Sequence, residues 1–147
     1  MSKKRFELKD VDLIVKKYLI PILPKFSILT FSGSLGAGKT TLIKELLSQV
    51  GVNANVTSPT FNYVNDYKNK KGELFHHFDL YRIETLNDFL STGFDEYLYE
   101  SDSWCLVEWP RVIVPLLEKE PLKSKWFNVF LEHDEESPDY RIIELGF

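Results

Sequence analysis

The sequence contains a single cysteine, which excludes an intrachain disulfide and a cysteine-rich zinc site. That residue, Cys105, lies in an apolar run, so we expect a packed thiol of the core rather than a nucleophile. The charged N-terminal segment 1–10 lacks the apolar centre of a signal peptide, and no apolar run approaches the roughly 20 residues of a membrane helix. These absences predict a soluble, cytoplasmic protein.

Basic residues are not in excess either. The 18 lysines and arginines face 22 acidic residues, which leaves a net charge of −4. A protein that holds nucleic acid by itself usually presents a basic face, so we do not expect autonomous binding of RNA or DNA. With 147 residues, 44% of them hydrophobic, the chain predicts a single domain, 1–147, with enough apolar surface for a buried core.

The sequence does contain a phosphate-binding pattern, G-x-x-x-x-G-K-T, over residues 33–40. It lies between an apolar run, 26–31, and an amphipathic segment, 41–50, which together predict strand, loop and helix. Glycines let backbone N–H groups converge on phosphate oxygens, and the helix N-terminus adds positive partial charge. In this geometry Lys39 reaches the β- and γ-phosphates and the Thr40 hydroxyl ligates Mg²⁺. The predicted nucleotide-binding residues of this segment are Ser34, Leu35, Gly36, Ala37, Gly38, Lys39, Thr40 and Thr41.

The rest of the pattern predicts an α/β fold. Antiparallel hairpins beside parallel strands indicate a three-layer sandwich of the P-loop NTPase type, with a mixed, mainly parallel central sheet. The predicted strands are 5–8, 26–31, 62–67, 74–81, 104–107, 126–132 and 140–145. The predicted helices are 11–20, 41–50, 84–90, 94–99 and 110–118.

Two acids follow apolar strands, at the edge where open α/β sheets place their ligand sites. Asp79 is predicted to bind Mg²⁺ through water or to accept a proton from the attacking water, with an ordinary capping or turn role as the alternative. Glu108 ends its strand in the manner of a Walker B acid, and its burial requires a cationic partner, either Mg²⁺ or Lys39. Which acid touches the metal stays open. Trp109 is expected to shield the site, to contact a partner or to pack in the core.

The loop 57–60 is rich in hydroxyls and lies where many nucleotide switches sense the γ-phosphate. This position makes Thr60 a candidate for an oxygen near Mg²⁺, with an ordinary Ser-Pro-Thr turn as the alternative. His76 and His77 precede Asp79 at a spacing that is poor for joint metal ligation, so structural or interface roles are expected for both.

Other nucleotide-binding classes lack their signatures in this sequence. The guanine-reading pattern N-K-x-D is missing, since residues 69–72 read N-K-K-G within a predicted turn. Small-molecule kinases usually clamp phosphorylated substrates with several arginines. Of the four arginines in the chain, only Arg82 and Arg111 are expected to neighbour the site.

Four segments together resemble the TsaE family, also called YjeE. They are G-S-L-G-A-G-K-T-T at 33–41, T-S-P-T-F at 57–61, H-x-D-x-Y-R at 77–82 and V-E-W-P at 107–110. The resemblance implies a bacterial P-loop ATPase needed for threonylcarbamoylation of adenosine 37 in tRNAs that read codons starting with A. In that family TsaD, paired with TsaB, performs the transfer, and TsaE docks on that pair and hydrolyses ATP to support repeated turnover. The implied cofactors are ATP and Mg²⁺, and tRNA is contacted only through the complex.

The resemblance also implies roles for individual positions. These are Lys39 and Thr40 for phosphate and Mg²⁺, Thr60 for the switch-like loop, Asp79 and Glu108 for the active-site acids, and Trp109 for the site wall or docking surface. One departure is Ser34, where the family usually has Asp; it removes a carboxylate near the nucleotide and keeps the loop backbone. Two other function classes stay open: a small-molecule P-loop kinase, and a nucleotide-gated binding module whose hydrolysis is incidental.

Overall fold

The computed structural model describes residues 2–59 and 61–146, and within these ranges seven strands form one sheet. The strands are β1 (Ser2–Glu7), β2 (Ile28–Ser32), β3 (Val64–Lys68), β4 (Leu74–Asp79), β5 (Ser103–Glu108), β6 (Trp126–His133) and β7 (Tyr140–Leu145). The helices are α1 (Val11–Ile14), α2 (Lys39–Gln49), α3 (Leu86–Ser91), α4 (Asp95–Tyr99) and α5 (Val114–Leu117). A π turn at Val15–Leu19 continues α1, and a 3₁₀ turn at Pro110–Ile113 precedes α5.

The strand order is β1-β7-β6-β2-β5-β4-β3. The four inner strands, β6, β2, β5 and β4, run parallel to one another, while β1, β7 and β3 add antiparallel pairs at the edges. The central strand β2 is buried over its first four residues, as expected of a parallel strand covered on both faces. This arrangement confirms the predicted mixed α/β sheet with antiparallel hairpins.

Two apolar clusters cover the two faces of the sheet. On one face, α2 buries Leu42, Ile43, Leu46 and Leu47, which recur at the spacing of a single helix face. On the other face, α3, α4 and α5 pack over β5, and Cys105 belongs to this cluster. The thiol is 2% exposed, and burial raises its pKa well above the ordinary range, which confirms the predicted core cysteine.

The helices of the described ranges are short, and α2 is the longest of them with 11 residues. None of the helices within residues 2–59 and 61–146 has the length and apolarity needed to span a membrane.

Two strands begin later than the pattern predicts. The strand predicted from residue 26 begins at Ile28, because the N–H of Phe26 still bonds to Ile22 O at the end of the preceding helical turn. The strand predicted from residue 62 begins at Val64, because Tyr63 has a left-handed backbone (φ 62°) that a strand does not accept. The loop that precedes β3 is correspondingly longer.

Gly33 joins β2 to the phosphate loop at a point where the backbones of two elements touch. Its φ is 135°, and a Cβ at this position would lie 1.8 Å from the carbonyl oxygen of Leu131 in β6. Only glycine satisfies both constraints, so the first glycine of the motif is required by packing as well as by backbone conformation.

We therefore expect Gly33→Ala to lower the free energy of unfolding by at least about 2 kcal/mol more than Gly72→Ala, because residue 33 must move away from β6. Gly72 is the matched control, since it also has a positive φ (81°) but no heavy atom within 4 Å of an added Cβ. Urea denaturation of both variants measures the difference. Equal losses would show that backbone conformation alone requires glycine at residue 33.

Candidate nucleotide site

A cavity of about 330 Å³ opens at the carboxyl ends of β2, β4 and β5. Its lining residues are Leu35, Gly36, Gly38, Lys39, Thr40, Thr41, Ser58, Asp79, Glu108 and Trp109. The parallel alignment of the three strands is what brings their polar ends to one edge of the sheet. Most of the residues predicted for the nucleotide site therefore line a single cavity.

The phosphate loop leads directly into the N-terminus of α2. Gly36 and Gly38 have φ values of 74° and 108°, which glycine adopts without strain. The first backbone hydrogen bond of the helix runs from the N–H of Leu42 to Gly38 O at 3.0 Å. The N–H groups of residues 39–41 therefore come before the first hydrogen bond of the helix. This geometry is that of an anion-binding helix N-terminus.

Lys39 turns its ammonium back onto the loop. Its Nζ donates to the carbonyl oxygens of Gly33 at 2.8 Å and Ser34 at 2.9 Å, and lies 3.9 Å from the centroid of the Trp109 ring. The residue is 4% exposed, and burial lowers the pKa of Lys39 below its ordinary value, while Glu108 and Asp79 oppose that shift. An anion that enters the cavity meets a largely desolvated positive charge.

Glu108 is the most buried acid of the cavity, with 3% exposure. Its carboxylate accepts from the Thr40 hydroxyl at 2.8 and 3.0 Å, and its Oε2 lies 2.7 Å from Nε2 of His77. Lys39 was one of the two partners predicted for this acid; the charge of Glu108 favours the charged form of Lys39, but the two side chains are not in direct contact. In the described ranges Lys39 forms no ion pair within 4.0 Å, because its ammonium is held by the loop carbonyls.

Asp79 lies beside Glu108 in the register of β4 and β5. Its Oδ1 accepts from the N–H of Tyr81 at 3.0 Å, and its Oδ2 accepts from the Ser58 hydroxyl at 3.2 Å. Asp79 is only partly buried, so it stands at the rim while Glu108 stands at the floor. The structure thus brings the two predicted acids together, with different surroundings.

Trp109 follows Glu108 in a left-handed conformation (φ 57°), which is unusual for a bulky side chain. The ring packs against Tyr81 with 4.9 Å between centroids and covers the Lys39 ammonium. Of the roles predicted for this residue, the wall of the site is the one that the structure shows.

The loop 57–60 was predicted to reach the site, and Ser58 does so through its bond to Asp79. Thr60 lies outside the described residues. Ser34 and Ala37 do not line the cavity: the Ser34 carbonyl binds Lys39, and Ala37 is fully buried. They contribute to the loop through their backbones.

Two residues of the site were missed by sequence reasoning. Arg141 of β7 is 8% exposed and donates from Nε to Ala37 O at 2.9 Å, so the expectation that only Arg82 and Arg111 neighbour the site is wrong. No local pattern identifies this contact, because it joins residues 104 positions apart. A structural or interface role was expected for His77; it is fully buried, and its contact with Glu108 was not predicted. Strand alternation would have identified it, since residues 77 and 79 share a face of β4.

Comparison with known proteins gives concordant matches. The family model described as "Threonylcarbamoyl adenosine biosynthesis protein TsaE" matches residues 9–143. The tRNA threonylcarbamoyladenosine biosynthesis protein TsaE of Borreliella burgdorferi is 38% identical over 116 residues, 78% of this chain and 81% of that protein. The proteins of the same name from Haemophilus influenzae and Bacillus subtilis are 37% and 40% identical over 74% and 65% of this chain.

The aligned region spans 65% of the Haemophilus protein and 58% of the Bacillus protein, which is less than two thirds of each. The crystal structure of Bacillus subtilis YdiB superposes with a TM-score of 0.62 over 98% of this chain and 84% of that chain, at 24% identity. That likeness shows the fold.

The contact between Lys39 and Trp109 can be measured by a double-mutant cycle. We expect Lys39→Met and Trp109→Leu to be coupled by about 0.5–2 kcal/mol in the free energy of unfolding, as for a desolvated cation over an indole ring. Lys44→Met is the matched control, because Lys44 is an exposed residue of the same helix and its cycle with Trp109→Leu should give no coupling. Equal coupling in the two cycles would contradict the observed packing.

Proposed function

The chain belongs to the TsaE family of threonylcarbamoyl adenosine biosynthesis proteins, and we propose that it binds and hydrolyses ATP as an accessory subunit in the synthesis of N6-threonylcarbamoyladenosine at position 37 of tRNA. It acts with TsaB and TsaD, which perform the transfer in the cytoplasm, and its ATP hydrolysis supports repeated turnover. The chain contacts tRNA only through that complex. The observation that carries the proposal is the single cavity in which the α2 N-terminus, Lys39 and the Thr40–Glu108 pair meet.

ATP is held by the loop and the start of α2 in this proposal. The backbone N–H groups that precede the helical ladder donate to phosphate oxygens, and Lys39 exchanges its two carbonyl partners for the β- and γ-phosphates. The exchange is favourable because two neutral acceptors are replaced by charged ones around a buried cation. The Trp109 ring lies against the Lys39 ammonium and limits the access of water to it.

The donor set of the cavity fits Mg²⁺. Thr40, Glu108 and Asp79 present one hydroxyl and two carboxylates, and hard oxygen ligands of this kind are what the ion prefers. When bound, Mg²⁺ supplies positive charge that neutralises the phosphate oxygens. Thr40 and Glu108 would hold it, since they already share hydrogen bonds at the floor of the site. Asp79, at the rim, accepts a hydrogen bond from the attacking water and orients it.

The chain itself supplies few cations to the γ-phosphate. Arg141 donates to the backbone carbonyls of Ala37 and Pro138, and Arg82 lies over the Phe61 ring at 5.6 Å. Lys39 is therefore the main positive side chain of the cavity among the described residues. Phosphoryl transfer depends on charge neutralisation, so we propose weak hydrolysis by the isolated chain and stimulation by partner proteins.

Hydrolysis is tested with two substitutions in the cavity and one outside it. We expect Glu108→Gln to lower kcat by about 10²–10³-fold with Mg·ATP, because it removes a charge that holds the metal, and Lys39→Ala to weaken binding of ATP. Lys44→Ala, on the exposed side of α2, should match the parent chain. Release of free phosphate is the measurement. Transfer of the γ-phosphate to a small acceptor, with no free phosphate, would indicate a kinase instead.

Stimulation is tested by adding TsaB and TsaD to the parent chain. We expect phosphate release to rise by up to about 10³-fold, the scale of a charge supplied by a partner. Glu108→Gln should lose both hydrolysis and repeated formation of the modified nucleoside. Equal phosphate release with and without the partners would contradict the accessory role, and full modification by Glu108→Gln would indicate a nucleotide-gated binding module.

A further inference from the structure

His77 is completely buried, and one of its ring nitrogens faces the floor of the nucleotide site. It lies two residues before Asp79 on β4, on the face of the sheet that α2 covers. Its Nε2 is 2.7 Å from Oε2 of Glu108. The only buried side-chain nitrogen or oxygen without a hydrogen-bond partner in the described ranges is the other ring nitrogen, Nδ1 of His77.

The neighbouring histidine shows that this placement is not a general feature of β4. His76 projects to the opposite face, where Nδ1 lies 2.7 Å from Asp66 and Nε2 lies 3.1 Å from Glu100. Its ring packs against Tyr97 of α4 with 4.4 Å between centroids. The two adjacent histidines therefore contact groups on opposite faces of the sheet, and of the two only His77 contacts Glu108.

The hydrogen atom of the contact belongs to His77. A carboxylate oxygen only accepts, and an N–H at Nδ1 would be buried without an acceptor, so the ring carries its hydrogen on Nε2 and donates it to Glu108. Oε2 of Glu108 accepts this hydrogen bond, and the Thr40 hydroxyl lies 2.8 Å from Oε1 and 3.0 Å from Oε2. The imidazole and the hydroxyl hold the carboxylate from two different elements.

We propose that His77 is a positioning residue that orients Glu108 and keeps Oε1 turned, together with Thr40, toward the cavity. The proposal rests on the proposed function, because orientation of Glu108 matters only where this acid holds the metal of Mg·ATP. It gives the first residue of the H-x-D-x-Y-R segment a role through Glu108, without contact with nucleotide.

Side-chain amides provide matched variants of His77. The amide nitrogen of His77→Gln reaches the place of Nε2 and still donates to Glu108, whereas that of His77→Asn reaches only the place of Nδ1. His77→Leu removes the donor and keeps an apolar volume. His76→Leu is the control on the same strand, since it removes two polar contacts on the opposite face and leaves the cavity intact.

The first readout is the affinity for ADP by calorimetry, with Mg²⁺ and with EDTA. We expect His77→Leu and His77→Asn to reduce the gain in ADP affinity that Mg²⁺ produces by about 10–100-fold, the usual effect of losing a partner of a metal ligand. The affinity for ADP in EDTA should be unchanged. His77→Gln should stay within about threefold of the parent chain, and His76→Leu should equal it. The kcat for ATP should follow the same ranking.

The second readout tests whether His77 acts through Glu108. In a Glu108→Gln background, His77→Leu should produce no further loss of the Mg²⁺ enhancement. Urea unfolding of each variant measures stability separately, and the similar Gln and Asn variants keep the test valid if the Leu variant fails to fold.

The inference is overturned if His77→Leu or His77→Asn binds Mg·ADP as the parent does, if Gln is as damaging as Asn, or if the loss persists in the Glu108→Gln background. Failure of the proposed function gives a different result. The parent chain would then gain no affinity for ADP from Mg²⁺ and would release no phosphate, and His77 would lose its proposed role along with it.

Discussion

The buried carboxylate of Glu108 is the group on which the arrangement of the site depends. A carboxylate at 3% exposure is costly unless donors surround it. Those donors come from the first turn of α2, through Thr40, and from β4, through His77. The hydrogen bonds that compensate this one charge therefore join the start of α2 to β4 and β5. They lie at the edge of the sheet where the carboxyl ends of β2, β4 and β5 meet.

The conformation of the phosphate loop depends on contacts with β6 and β7 as well as on its own glycines. Gly33 lies against the backbone of Leu131 in β6, and Arg141 of β7 binds the carbonyl of Ala37. Lys39 closes the loop from within by binding the carbonyls of Gly33 and Ser34. The last two strands, which carry no motif, thus support the motif that lies a hundred residues earlier.

Much of this could be predicted because it is encoded by neighbouring residues. The apolar run, glycine spacing and amphipathic segment around residues 33–40 predict strand, loop and helix together. Glu108 was found because an acid directly follows a buried strand, and Cys105 because it lies within one. The roles of Lys39, Thr40, Thr60, Asp79, Glu108 and Trp109 toward ATP and Mg²⁺ stay predictions. The later starts of β2 and β3 were not predicted, since Phe26 still bonds to a helical turn and Tyr63 has a left-handed backbone.

By itself the sequence determined the phosphate loop, the mixed α/β architecture and the two strand-end acids, because each depends on spacing within one short segment. Only the tertiary structure decided what those groups touch. It gave Glu108 a hydroxyl and an imidazole as hydrogen-bond donors, and it brought Arg141 to the loop. The reason is physical: the partner of a buried charge is set by which strands become neighbours, and the order β1-β7-β6-β2-β5-β4-β3 is a property of the whole packed sheet.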